Sequence, residues 1–453
     1  MSTITRGLFA GQVLQRNKTN KATIKAHCEL APIGPVFAQV KAGKKSIVKK
    51  QRVGEIKRGK GEIKLSGIPL GGPYTIVLSF ASGPDLEVGD IRVGDVWIMA
   101  GQSNMEGLGF LKYALKGHKD IRCFYQSDNW TKAQDPMGYH YDAVDTVHRS
   151  NPEAEKEARK SFKQRGTGPG LAFAMNMHND SGVPQGLIAC AHGGSTMESW
   201  HPKGKRKGGA TLYGAMMRRI EKLNQPLAGV IWYQGESEAF VGTEKIYTRS
   251  MKNLVSQFRK QIGQATLPWV TVQLGQVFMK VDSGWINVQE HQRLLPNHIK
   301  KLETVPAMDT ACCDCIHIGS KGQHVIGKRL AQAMIRLKGG KGRKPVELSG
   351  IKLVKNNLPL SGPLICVSFK NVRGALSSTG PVSGFFMVTK DGERFKTVHR
   401  VFCKGKSVYL DFGVDKKGAK NWRVSYGYLP DSICNVTDED GWSLPVFAPH
   451  KIA

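Results

Sequence analysis

The string "GQSNM", residues 101–105, closes an apolar run, Val96 to Met99, with the length and composition of a buried strand. A serine at a strand end has two ready uses, as the N-cap of a following helix or as a nucleophile. Three further strings bring reactive groups after comparable runs. "HGGSTMESW", residues 192–200, supplies Gly193 and Gly194, whose backbone N–H groups can come close to a ligand. "YQGESEA" supplies Gln234, Gly235 and Glu236, and "DCIH" sets Asp314 three residues before His317. Taken singly, these read as a tight glycine turn, a helix-start glutamate, a turn-forming aspartate and a loop histidine. Taken together, they are the parts of acyl transfer: a nucleophile, a base for its proton, a carboxylate to orient the base, and N–H donors for an oxyanion.

Such parts meet only if the strands carrying them are neighbours. "DVWIMA", "GLIACA", "GVIWYQ", "WVTVQL" and the weaker "ETVPAMD" are strand candidates. Between them Leu212, Met216, Ile220 and Leu223 share one helical face, as do Tyr247, Met251, Leu254, Phe258 and Ile262. Strands alternating with helices imply right-handed crossovers and a parallel sheet covered on both faces, with ligands beyond the strands' carboxyl ends. A last helix is signalled by the capping-box spacing of Ser320 and Gln323, by the face of Ile326, Leu330, Ala333 and Leu337, and by Gly339 as its stop. Asp314 and His317 then fall on the loop entering it. Residues 91–340 are read as one α/β domain. Residues 1–90 hold short alternating runs such as "GPYTIVLSF" and read as a β-rich domain. Residues 341–453 read as a second one, with "GPLICVSFKNV", "KSVYLDF", and "GFFMVTKDGERFKTV" turning at Asp391-Gly392. "KGGKGRKP" ahead of the second domain reads as a linker.

At 453 residues the chain is too long for a single core. Its 66 Lys and Arg against 36 Asp and Glu give a formal charge of +30. That charge is spread along the chain without aromatic interleaving or a nucleic-acid motif, so no specific nucleic-acid partner is expected. No run approaches the roughly twenty apolar residues of a membrane span, and the opening lacks the apolar core of a signal peptide. The compartment stays open, extracytoplasmic if the chain is a trimmed mature form, and so does the oligomeric state. Nine cysteines, scattered except for "ACCDC" at 311–315, make neither a disulfide framework nor a paired zinc motif. No cofactor and no metal is expected.

The blocks "GQSNM", "GGSTMESW", "WYQGES" and "DxxH", in this order, resemble those of SGNH-type carbohydrate esterases, most closely the sialate O-acetylesterase group. "FAGQVLQRNK", "GGPYTIVLSF" and "VSYGYLPDSICNVTDEDGWSLPVFAP" extend the similarity to both ends, whereas 108–165 departs from it. The resemblance implies an α/β, flavodoxin-like three-layer SGNH hydrolase domain with a parallel sheet, flanked by N- and C-terminal β-rich domains. It implies Ser103 as nucleophile, His317 as base and Asp314 as the acid that orients it, with Asp309 a competing acid. The oxyanion donors would be the Ser103 amide, the amide of Gly193 or Gly194, and Gln234 where many SGNH enzymes use asparagine, with Glu236 in the same substrate-binding block. Met105 stands where the α/β-hydrolase elbow needs its second glycine, which disfavours that fold.

The function expected is a metal-independent serine esterase that removes O-acetyl groups from a sugar or polysaccharide. The basic run Lys203, Lys205, Arg206 and Lys207, expected near the cleft, would favour an anionic one. The alternatives are an acetylxylan-type esterase and a polyanion-binding protein with a vestigial site. Trp200 reads either as core or as a ring that stacks on sugar.

Overall fold

Alternation of small apolar and charged residues drives the first part of the chain into strands. In Lys21–Glu29, for example, Ala22, Ile24, Ala26 and Cys28 are buried while Lys21 and Lys25 face water. The computed structural model describes residues 3–453 except 150–152, 154, 155, 158, 159, 161, 162, 357–361, 396–399, 414 and 416. It divides into two compact units, Met1–Trp232 with Asn253–Pro268, and Tyr233–Lys252 with Trp269–Ala453.

In the first unit, Thr3–Arg6, Lys21–Glu29, Gly61–Pro69, Lys45–Ile56, Gly34–Ala42, Gly71–Ser79 and Leu86–Gly101 lie side by side in that order, each antiparallel to the next. Their inward side chains, among them Ile24, Val36, Val40, Ile63, Leu65 and Ile76, form one core. The last of these strands runs for 16 residues, straight across residue 90, and is buried from Ile91 to Gly101. Asp95–Met99 pair in parallel with Gln185–Ala189, which pairs in parallel with Ile121–Phe124. Val13–Gln15 adds a parallel partner along Arg92–Gly94.

The sheet is mixed rather than all parallel. Ile121–Phe124 and its neighbour Trp130–Lys132 are joined by a short turn through Asp128, at φ +61°, and a turn that tight permits only antiparallel pairing. Both lie where no strand was expected.

Helix Leu212–Leu223 buries the face expected of it, with Leu212, Met216, Ile220 and Leu223 at most 7% exposed. Thr211 caps it, its Oγ1 accepting from Gly214 N at 3.1 Å. From the same helix the buried Arg219 donates to the carbonyls of Ala189, Phe124 and Tyr125, satisfying acceptors at the ends of two strands.

In the second unit, Trp269–Val272 pairs in parallel with Leu302–Val305, and helices Gly284–His298 and Ser320–Leu337 accompany them. The last helix starts differently from expectation. Gly319 is its N-cap and Ser320 its first helical residue, so Ser320 does not hold the cap position. Its end is as read: Gly339 follows in the left-handed region at φ +91°.

Among the described residues the C-terminal strands form two four-stranded sheets and a two-stranded one, Leu376–Ser378 with Val436–Asp438. One of the four-stranded sheets holds Glu347–Val354, Leu364–Lys370, Ser407–Asp411 and Arg400–Lys404; the other Arg394–Phe395, Phe385–Thr389, Trp422–Tyr426 and Phe447–Lys451. The turn at Asp391-Gly392 joins Phe385–Thr389 to Arg394–Phe395, and the end of that run, 396–399, lies outside the described residues. The expected linker "KGGKGRKP" is tied down by one residue. Arg343 is 3% exposed, paired with Asp438 and Asp440 and stacked on Trp442 at 4.9 Å. Among the described residues no helix is long and apolar enough to cross a membrane.

Asp135, in the first unit, is a buried carboxyl whose burial pushes its pKa up to about 8, with a hydrogen bond from Gly168 opposing only in part. The folded chain thus keeps a proton that the unfolded chain releases near pH 4, and stability falls as pH rises from about 4 to about 8. Asp135→Asn should raise Tm by a few degrees at pH 8, by nothing at pH 4, and flatten the slope between. Thermal unfolding at a series of pH values checks this, and equal slopes in both proteins would show Asp135 ionised in the fold.

Candidate active site

The buried strand Leu86–Gly101 ends at Gly101, whose φ of +134° turns the chain where a side chain would be strained. Gln102 is the N-cap of the turn that follows, so Ser103 is not a cap. It is the first residue of the single helical turn Ser103–Glu106 and is 9% exposed. Met105 N and Glu106 N donate to Gln102 O, both at 2.9 Å, and Gly107 N closes on Ser103 O.

The second block arrives alongside because the parallel register continues past the strand ends. Cys190 N donates to Met99 O at 2.8 Å and His192 N to Gly101 O at 3.0 Å. Gly193 then lies against the serine: a Cβ built on it would stand 3.6 Å from Ser103 Cβ. Its amide donates to Glu106 Oε2 at 2.6 Å. Gly194, at φ +65°, is exposed, and among the described residues its amide has no partner.

Behind this turn sits a polar cluster. Glu106 Oε1 faces His140 Nε2 at 3.0 Å, His140 Nδ1 meets Gln126 Oε1 at 2.5 Å, and the Nδ1 atoms of His148 and His192 are 3.1 Å apart. Burial pushes His148 down to about 2 and His192 down to about 4, so both rings are neutral near pH 7. None of these contacts was legible. Glu106 directly follows the first motif but has no signature of its own, and His140 and His148 fall in the stretch that departs from the resemblance.

A cavity of about 550 Å³ opens beside the glycines, with His192, Gly193, Gly194, Glu198, Lys203 and Lys207 among its lining. Two of the four residues of the basic run therefore border it, while Lys205 is paired with Glu221 at 2.8 Å. Trp200 is core. It is wholly buried, donates to Ser195 Oγ at 3.0 Å and meets Trp232 edge-on at 5.2 Å.

The second unit carries the other candidates. Gln234 and Glu236 share one turn through Gly235, at φ +150°, where a Cβ would strike Gln292 Nε2 at 2.6 Å. Gln234 is fully buried, its carbonyl accepting from Tyr247 Oη at 2.8 Å and Gln292 Nε2 at 2.9 Å, and its side-chain amide donating to Glu238. Asp314 closes a local turn: Oδ1 accepts from Ile316 N at 2.9 Å and His317 N at 2.7 Å, while Oδ2 meets His317 Nδ1 at 2.9 Å. A carboxylate there calls for hydrogen on Nδ1, which leaves the ring's lone pair on Nε2. Asp309, the competing acid, makes two bonds of 2.7 and 2.6 Å to the buried Arg329.

Nucleophile-type serine, close glycines and a carboxylate-held imidazole are the repertoire of an esterase. A family model described as carbohydrate esterase, sialic acid-specific acetylesterase, matches residues 93–336, more than half of the chain. The chain belongs to this carbohydrate esterase family. It is thereby a carboxylic ester hydrolase, and acetylated carbohydrate is the substrate class that fits the family.

The esterase is 29% identical over 276 residues to a probable carbohydrate esterase of Arabidopsis thaliana, across 54% of this chain and 92% of that one. It is 25% identical over 300 residues to the human sialate O-acetylesterase, across 58% of this chain and 56% of that one, so it matches about half the length of that relative. Among solved structures, a carbohydrate acetylesterase from Xanthomonas citri shares the fold, with a TM-score of 0.74 over 99% of both chains at 22% identity.

The two acids should separate in a stability measurement. Asp309→Asn takes the charge from a partner of an arginine that is 2% exposed, a loss of the kind that costs about 3–5 kcal/mol, and Tm should fall by several degrees. Asp314→Asn, at a side chain 25% exposed, should leave Tm nearly unchanged. Calorimetry of both variants checks the contrast, and the reverse order would reassign the two contacts.

Proposed function

We propose that this esterase removes O-acetyl groups from sugars through an acyl-enzyme on Ser103, with His317 as base and Asp314 orienting it. The observation that carries this reading is the Asp314–His317 pair, whose geometry presents Nε2 as the proton acceptor. Ser103 Oγ attacks the acetyl carbonyl carbon as its proton passes to His317, and the tetrahedral oxyanion is held by N–H donors. The imidazolium then protonates the departing sugar oxygen. Water, activated by the same imidazole, releases acetate and restores the serine.

For the donors we take the Ser103 amide, a glycine amide and the Gln234 side chain. Gly194 is favoured over Gly193, because the Gly193 amide is already spent on Glu106. Glu236, on the turn with Gln234, is assigned to the substrate side. The catalytic fold is taken as a flavodoxin-like three-layer SGNH hydrolase domain at 91–340, with β-rich domains at 1–90 and 341–453.

The substrate class we favour is an acetylated acidic sugar such as a sialic acid. Lys203 and Lys207 on the cavity beside the glycines support it, since exposed cations there attract a carboxylate before contact. The sialate O-acetylesterase relatives support it by name.

Three variants test the mechanism. Ser103→Ala should lose both turnover and labelling by a fluorophosphonate. His317→Ala should lose several orders of magnitude in kcat, and Asp314→Asn less. Labelling that persists in Ser103→Ala would end the assignment. For the substrate, kcat/KM on an O-acetylated sialic acid should fall as salt rises, and Lys203→Ser with Lys207→Ser should flatten that fall. A neutral acetylated sugar should show neither effect, and equal salt responses for both substrates would remove the lysines from recognition.

A further inference from the structure

We propose that His140, His148 and His192 form a binding site for a first-row transition-metal dication of the zinc type, set behind the glycine loop. His192 follows His148 by 44 positions and His140 precedes it by eight, yet one ring nitrogen from each lies within 4.8 Å of the other two. Their ring centroids form a near-regular triangle with sides of 5.2, 4.8 and 5.2 Å. Three imidazoles on one tetrahedral ion, with metal–nitrogen bonds of about 2.0–2.1 Å, hold their centroids about 5 Å apart and their ligating nitrogens about 3.3 Å apart. The Nδ1 atoms of His148 and His192, at 3.1 Å, are close to that spacing.

His140 carries the argument further. Gln126 Nε2 donates to Ala191 O at 3.1 Å, so Gln126 Oε1 is an acceptor and the His140 Nδ1 that meets it carries hydrogen. This is the outer contact that orients a metal-bound histidine. In the neutral ring its Nε2 then carries the lone pair. That atom is buried without a hydrogen bond among the described residues, although Glu106 Oε1 stands 3.0 Å away. A lone pair turned toward a carboxylate is unfavourable unless a cation or an added proton lies with them, and Glu106 supplies the negative charge that a dication needs.

The surroundings suit a cation. Two guanidiniums bear on His148, those of Arg219 and Arg218; Arg219 lies 3.6 Å from Asp128, and Arg218 is paired with Asp128 and Asp145. Three nitrogens with one carboxylate at hand suit zinc, cobalt, nickel or copper rather than magnesium or calcium.

A second grouping, His118, Asp120 and His178, lacks these features. Asp120 is paired with Arg92 at 3.2 Å, and His178 Nδ1 is taken by Val183 O at 2.9 Å. The cysteines at 312, 313 and 315 belong to neither grouping among the described residues. His192 adjoins Gly193, and Glu106 holds the Gly193 amide, so an ion here would pin the glycine loop against the Ser103 turn.

The test is binding, read without turnover, so it stands or falls apart from the esterase assignment. The full chain, stripped with a chelator and dialysed, is titrated with Co²⁺ while its visible absorption is followed, and Zn²⁺ is then added in competition. One equivalent per chain should bind with visible bands of a four- or five-coordinate site, and zinc should displace it. His148→Asn and His192→Asn should each weaken binding about 100-fold or more, since loss of even an outer contact costs 10–100-fold. His118→Asn should change nothing. Should either variant fail to fold by circular dichroism, His140→Gln replaces it with the same expectation. No stoichiometric binding, binding indifferent to these histidines, or binding lost in His118→Asn would each overturn the proposal.

Discussion

A strand buried on both faces must pair every backbone group it carries, and the stretch Ile91–Gly101 is such a strand. Along it, Val13–Gln15 and Gln185–Ala189 each lock in a parallel register, and Met99 is matched to Ala189. The hydrogen bonds do not stop where the strands do, since Cys190 and His192 continue the ladder to Met99 and Gly101. The loops after the two strands therefore leave side by side at fixed height, and Ser103 and Gly193 become neighbours although some ninety residues separate them. A slip of one residue would turn every side chain to the other face and part the two.

The same demand for pairing explains where the buried charges sit. Arg219 spends its guanidinium on carbonyls at the ends of two strands, and Arg218 is neutralised by Asp128 and Asp145. Arg329 with Asp309 and Arg343 with Asp438 repeat the arrangement in the second unit. With +30 in formal charge, the chain keeps several of its buried cations next to acids and turns others, such as Arg259, to backbone carbonyls, while many of the rest lie in water. Glu106 differs from these acids. Its partners are a loop amide and a histidine, so its charge is turned to geometry at the serine turn rather than to cancelling an arginine.

How much was legible follows from how local each signal is. The five strand runs of the α/β part and the faces of its helices are repeated patterns of apolar side chains, and the structure forms them where they were read, except that Ile262 falls just past helix Tyr247–Gln261 and that Ile262 and Leu337 are only partly buried. Ile121–Phe124 escaped because four residues surrounded by irregular chain show no period. The cap at Ser320 failed by one residue, because a Ser–x–x–Gln spacing does not say which residue first turns helical. The linker reading failed at Arg343, where a basic residue among glycines looks solvated until two acids about a hundred positions away enclose it. The cluster of His140, His148, His192 and Glu106 had no signal at all, since its spacing in the chain matches no motif and only folding brings it together.

Asp314 and His317 are the opposite case, and they show why a string as short as "DxxH" can carry meaning. The aspartate accepts from two backbone N–H groups of the turn that contains the histidine, so the carboxylate is fixed by the loop itself. With Oδ1 spent on the backbone, Oδ2 is the oxygen left for the ring, and the three-residue spacing delivers Nδ1 to it. The ring is thus oriented by bonds made within four residues. The serine turn has no such independence, for its glycine neighbour is brought by sheet register and its carboxylate by a second loop. An aspartate five residues earlier cannot share the turn, and Asp309 is drawn instead to Arg329 on the following helix.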